Sequence, residues 1–223
     1  NSVDPVPPLS EQQALAAWQH LEELQLFLED PRSSPTAHGG AGFWRALPQL
    51  PCLTRLACNG VQGQPSRVLR NGLPARLVTL QLWGYSEPAP PPLPPRVTKL
   101  ELLVATPPDV LPVSASLRDL TLASCGIPVP EWPASATVMT QLMGLSLMSC
   151  PLGEKFPAPL AALPALQVLD LRRTQLADLP NDLACLSCLR SLSLGRNRLS
   201  RVPAVLGGGA ASRLEHLDLM HND

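Results

Sequence analysis

The sequence predicts an α/β solenoid: short parallel strands stacked side by side into one curved sheet, with extended or helical returns behind it. Three observations carry that prediction. Within Leu163 to Leu199, the residues Leu166, Leu169, Leu171, Thr174 and Leu176 recur 23 positions later as Leu189, Leu192, Leu194, Asn197 and Leu199. The same apolar triplet starts at Leu21, Leu53, Leu77, Val97, Leu117, Leu142, Leu166, Leu189 and Leu214, at spacings of 32, 24, 20, 20, 25, 24, 23 and 25 residues. Nearly all of the 27 prolines fall between these triplets, where a residue with no N–H to give a ladder does no harm.

The repeated pattern LxxLxLxx(N/C/T)xL resembles the leucine-rich repeat. That resemblance implies a right-handed superhelix with a parallel sheet on its concave face and short helical or proline-rich convex returns. The 20-residue units, with Leu73-Pro74, Leu93-Pro94 and Leu111-Pro112 in their returns, resemble the short units of bacterial and protist members. The later units, with Leu179, Leu183 and Leu186 in LPxxLxxLxxL, resemble the 23-residue intracellular type with a helical turn at the back.

Taken in order, residues 1–20 read as an N-terminal extension with a capping helix, and residues 21–223 as a solenoid of about nine repeats. Ser10 followed by Gln13 has the form of a capping box, and Leu15, Trp18 and Leu21 follow at helical spacing, so a helix is expected over Glu11 to His20. The longest gap holds a polar Ser, Pro and Gly loop from Asp30 to Gly42, then Phe43, Trp44 and Leu47 as a short helix. In each triplet the second and third apolar residues alternate, so both point inward while their neighbours face the concave side. A single unit cannot cover its own leucines, which is why the units must stack.

The polar position answers the backbone groups left unpaired where the chain turns off the sheet. Asn197 and Asn222 offer a donor and an acceptor, Thr174 a hydroxyl, Cys125 and Cys150 a weak thiol donor, and Val61 and Ala105 nothing. The N-terminal half is therefore expected to be less regular. The last unit stops at Asp223 with its apolar rung uncovered, so a continuation or a covering partner is expected there; the start at Asn1 points to processing or to a longer polypeptide.

Composition narrows the function classes. Hydrophobic residues make up 45% and charged residues 16%, enough for a core and too apolar for a disordered chain. A formal charge of −1, without a basic stripe, gives no footprint for nucleic acid. No apolar run has the length of a membrane span and no leader is visible. The six cysteines (Cys52, Cys58, Cys125, Cys150, Cys185, Cys188) are scattered, not gathered into the terminal disulfide caps that the resemblance implies for secreted members, so an intracellular, cytoplasmic location is expected.

The surface to inspect is the concave sheet. The residue after each third apolar position gives Phe27, Asn59, Trp83, Leu103, Ala123, Met148, Arg172, Gly195 and Met220, in which Phe27, Trp83, Leu103 and Met148 form a broken apolar row. Nine rungs about 4.8 Å apart span about 38 Å, room for a helix or an extended segment. Towards the C-terminus Asp170, Arg172, Arg173, Arg196, Arg198 and Asp218 make the surface charged, and arginines so placed suit a carboxylate or phosphate on a partner. The partner-binding set is thus Phe27, Trp83, Leu103, Met148, Asp170, Arg172, Arg173, Arg196 and Met220.

Other motifs read more simply. His216, Asp218, His221 and Asp223 have metal-ligand chemistry but read as strand surface. Cys185 and Cys188 form a lone CxxC in a backing segment and read as packed thiols. Cys125 and Cys150, in equivalent places of adjacent rungs, read as stacked thiols and not as a disulfide. Pro91, Pro94 and Arg96 satisfy PxxPxR, the form of an SH3 ligand, but lie where the back of a repeat must run. Gly207, Gly208 and Gly209 sit in a return, and no nucleophile elbow, phosphate loop or HExxH helix occurs. The expectation is a non-catalytic protein-recognition module, a rigid subunit or scaffold arm of a larger assembly, with no cofactor, metal or small-molecule substrate. Its alternative is the recognition domain of a ubiquitin ligase, a kinase or an immune-type receptor.

Overall fold

The computed structural model describes residues 11–27, 45–59, 72–85, 92–104, 114–123, 138–152, 158–179, 181–207 and 213–223. Among them, each expected triplet contributes one strand: β1 (Glu23–Phe27), β2 (Arg55–Asn59), β3 (Thr79–Tyr85), β4 (Lys99–Val104), β5 (Asp119–Ala123), β6 (Gly144–Ser146), β7 (Val168–Asp170), β8 (Ser191–Ser193) and β9 (His216–Asp218). They form one sheet in sequence order. Every neighbouring pair is parallel.

The register follows from the leucines. Leu24, Leu56, Leu80, Leu100, Leu120, Leu145, Leu169, Leu192 and Leu217 stand opposite one another across all nine strands, one column running the length of the stack. From Leu56 to Leu192 this column is buried, whereas Leu217 on the last rung is 45% exposed because nothing described lies over it. Leu53, Leu77, Val97, Leu117, Leu142, Leu166 and Leu189 form a second buried set, and Cys58, Leu82, Leu102, Leu122, Leu147, Leu171 and Leu194 a third. Any one-residue slip would turn a column to water, so burial holds the register.

At the other end, helix α1 (Glu11–Ala17) packs Leu15 against the core, as does Trp18 just after it. Ser10, the expected cap, lies outside the described residues, as do the loop from Asp30 to Gly42, Phe43 and Trp44. Helical turn begins at Arg45 and closes as a 3₁₀ turn at Leu47–Gln49.

The returns differ as the unit lengths do. In the short units a tight turn precedes the strand: Leu77 N–H donates to Pro74 O (3.0 Å) and Val97 N–H to Pro94 O (3.1 Å). The second half of the PxxPxR run is therefore bent into this turn, with Leu93 packed against the core. The long units carry 3₁₀ turns at Ala158–Ala162, Asn181–Cys185 and Ala204–Gly207.

One expectation needs correction, and another falls outside the described residues: Val61 and Ala105, on which the expected irregularity of the N-terminal half rests, are not described. Its strands β1 to β5 run for five to seven residues against three in β6 to β9. Their single irregularity is the register shift between Trp83 and Tyr85, where Gly84 at φ 79° takes up the extra residue as a bulge. The C-terminal rungs are shorter because their polar ladder turns the chain off the sheet early. Cys185 and Cys188 are exposed, not packed. Leu183, Leu186 and Leu189 recur every three residues and are buried, so in a return of 3₁₀ type the cysteines fall on another face.

Candidate functional site

The descending turns set the edge of the concave face, and side chains build them. Asn197 is 7% exposed and makes five bonds. Its Oδ1 accepts from Thr174 N (3.0 Å), Thr174 Oγ1 (3.0 Å) and Leu176 N (3.1 Å), while Nδ2 donates to Leu171 O (2.7 Å) and Leu194 O (2.9 Å). Asn222 repeats the arrangement one rung on, accepting from Leu199 N and donating to Leu194 O and Leu219 O. Cys150 holds the earlier place, its thiol donating to Leu122 O at 3.4 Å. Cys125 lies outside the described residues.

This ladder leaves the strand residues between the leucines free for the concave side. Trp83 and Leu103 are paired in register, and Leu103 pairs onward with Ala123. Leu103 is 36% exposed, Trp83 and Met148 are half-buried, and Ala123 is buried, so the row dips between Leu103 and Met148. Trp83 Nε1 is shielded from solvent and has no hydrogen-bond partner among the described residues, a donor of the kind that costs about 1–3 kcal/mol when left unsatisfied. Phe27 ends β1 opposite Asn59 at the other end of the row; its side chain lies outside those described. Met220, 68% exposed, closes the row on the last rung.

The polar residues of this face are largely paired with one another. Glu101 accepts from Gln81 Nε2 at 2.7 Å and binds Lys99 Nζ at 2.9 Å, and that hydrogen bond, with the charges of Glu101 and Asp119, holds the lysine pKa above its usual value against a smaller effect of burial. Asp170 grips Arg172 in a two-pronged pair, Oδ1 with Nε at 2.9 Å and Oδ2 with Nη2 at 2.7 Å, which raises the guanidinium pKa further. Asp170 and Arg172 thus form one closed unit, while Arg173 and Arg196 are exposed on the edge beside it. Asp218 receives the Met220 N–H at 2.9 Å. His216 places Nδ1 at 2.7 Å from the Glu215 carbonyl oxygen, and among the described residues no three His, Cys, Asp or Glu side chains gather as metal ligands. Among them, too, no helix is long and apolar enough to cross a membrane.

Sequence reasoning listed the row by its place after each third apolar residue; Trp83 and Leu103 pair in register, Met148, Arg172 and Met220 lie in the turns just past their strands, and the Asp170–Arg172 pairing was not singled out. The available signal was the spacing of two, which lets an aspartate at the end of β7 reach an arginine in the turn that follows.

A parallel sheet with one leucine column per rung and an asparagine ladder at its edge defines a leucine-rich-repeat solenoid. Residues 140–199 match the family model described as leucine rich repeat. No curated protein matches the sequence. Among solved structures, InlP of Listeria monocytogenes is similar at 19% identity and a TM-score of 0.64, over 96% of this chain and 58% of that one. The Toll–Spatzle complex of Drosophila is similar at 16% identity and a TM-score of 0.58, over 97% of this chain and 35% of that one. The Arabidopsis receptor kinase HAESA, solved in complex with the peptide hormone IDA and the co-receptor SERK1, is similar at 21% identity and a TM-score of 0.55, over 82% of this chain and 32% of that one. The chain therefore spans little more than half the length of InlP and about a third of the other two, and what these likenesses establish is the fold.

Proposed function

We propose that the chain is a non-catalytic protein-recognition module whose concave face holds a segment of a partner, acting as a rigid arm of a larger intracellular assembly. The observation that carries this reading is the apolar row of Trp83 and Leu103, paired in register, with Met148 in the turn just past β6, on a wall whose polar side chains are mostly paired among themselves. Exposed aromatic and aliphatic side chains on a rigid concavity are the anchors that dominate protein interfaces, because a preordered surface loses little entropy on binding. Phe27 and Met220 extend the row to both ends, and Asp170, Arg172, Arg173 and Arg196 give it a polar C-terminal border. The cytoplasmic reading is supported by Cys52, Cys58, Cys185 and Cys188, which stand as free thiols.

A second reading, the recognition part of a receptor, is favoured by the likeness to HAESA and to the Toll–Spatzle complex, each solved with a protein or peptide ligand and each far longer than this chain. Both readings use the same face. Leu103→Glu places a charge in the middle of the row on a side chain already in contact with water, so it tests binding without unfolding the sheet. Partner capture from the native source should be lost while the melting temperature stays within about 2 °C of wild type. Unchanged capture by this variant would remove the concave row from the account.

A further inference from the structure

We propose that the edge of the sheet at the seventh and eighth rungs is a phosphate-binding site, formed by Arg173 and Arg196 with Arg198 beside them, which takes a phosphorylated serine or threonine on the partner. It deepens the reading of the concave face as a protein-binding wall, but its own test needs no partner.

The site follows from the turn. Ser149, Arg173, Arg196 and His221 each stand two residues after the last inward leucine of their rung, and all four have left-handed backbones, at φ 61°, 59°, 58° and 58°. The ladder continues through them: Ser149 N–H donates to Arg172 O at 2.9 Å, Arg173 N–H to Gly195 O at 3.1 Å and Arg196 N–H to Met220 O at 2.8 Å. Identical turns on rungs about 4.8 Å apart send equivalent side chains off the edge side by side. Left-handed backbone is where glycine and asparagine sit at least cost, and here two successive rungs carry arginine.

Charge accounting points the same way. Arg173, Arg196 and Arg198 are exposed and form no ion pair among the described residues, whose pairs join Arg55 to Glu23, Lys99 to Glu101, Arg172 to Asp170, Arg190 to Glu215 and Arg201 to Asp178. Two of the acids nearest in the chain are engaged by arginines other than these three. Asp170 is held by Arg172, Asp178 by Leu179 N–H and Arg201, and Asp218 by Met220 N–H. The edge is thus left with three exposed guanidinium groups that no ion pair among the described residues engages. A carboxylate offers two oxygens in one plane and suits a single fork; a phosphate monoester offers three oxygens in a tetrahedron and close to two negative charges, which lets two adjacent forks share one group.

The experiment is an NMR titration of the full 223-residue chain, labelled with nitrogen-15, using a capped Gly-phosphoserine-Gly peptide, its unphosphorylated form, its glutamate form and inorganic phosphate. The phosphopeptide should give saturable shifts centred on the amide and Nε signals of Arg173 and Arg196, with the glutamate peptide about tenfold weaker. Inorganic phosphate should shift the same signals. R173A/R196A should abolish the effect, and R173K/R196K, which keeps the charge but loses the fork, should weaken it about tenfold while leaving the spectrum folded. Shifts spread over the surface, equal binding of the glutamate peptide, or undiminished binding by the lysine variant would overturn the proposal. Leu103→Glu leaves this titration unchanged, so the loss of one site is told apart from the loss of the other.

Discussion

Asn197 shows how much of this fold depends on single polar side chains. It is enclosed between two rungs and serves Thr174 N and Leu176 N of one and the carbonyls of Leu171 and Leu194 on both sides. Asn197→Ala leaves these backbone groups buried and unpaired, a cost of about 3 kcal/mol that a lowered urea midpoint will report. Asn222→Ala, at a half-buried place, should cost less than half as much; equal losses would mean that the ladder is not what closes the turns. Cys58 gives a second residue-scale prediction. Burial pushes its thiol up to about 12, so above about pH 9, where an ordinary thiol ionises, the unfolded chain releases a proton that the folded chain retains. Stability should therefore fall by about 1.4 kcal/mol per pH unit between pH 9 and 12, a slope that Cys58→Ala removes. The residue scale is also where the sequence was least legible. Whether an arginine is free or held depends on a neighbour's rotamer, as the contrast of Arg172 with Arg173 shows, and the alternation rule says nothing about rotamers.

At the scale of the element, the sequence was read almost completely. Nine triplets become nine strands because burying an apolar column admits only one register, and that requirement is written in the spacing of the leucines. The returns were read less well. Their conformation is decided by local turn chemistry over a few residues, and the three-residue period of Leu183, Leu186 and Leu189, which exposes Cys185 and Cys188, was present but weighed less than the general burial of cysteine. Leu169 tests how far the column is cooperative. Fully buried between Leu145 and Leu192, it contributes on the order of 2–3 kcal/mol by burial alone. Leu169→Asp inserts a desolvated carboxylate between rungs, so β6, β7 and β8 should lose protection together in hydrogen exchange. Loss confined to β7 would show that the rungs are energetically separate.

On the scale of the whole molecule, a stack of parallel strands gives a long wall with one side chain per rung in each row, so its chemistry changes along the axis in steps of about 4.8 Å. The wall runs from apolar at Trp83 and Leu103 to charged at Arg172 and Arg196, and the pairing of Lys99 with Glu101 and of Arg172 with Asp170 limits which charges a partner meets. On the rung of β9, Leu217 is 45% and Met220 68% exposed, so apolar surface reappears past the arginines. The leucine columns were legible from position alone, because burial dictates which side chains turn inward. What no single position could show was that Ala123 sinks the row at its centre, since that depends on the size of its neighbours.

The most direct measurement is site-specific photo-crosslinking in the native extract, with p-benzoylphenylalanine placed in turn at Leu103 on the concave face and at Ala184 on the convex return. Protein recognition by the concave wall predicts one discrete crosslinked partner from position 103, mapped by mass spectrometry to a single segment, and none from position 184. Crosslinks from the convex position alone would contradict it.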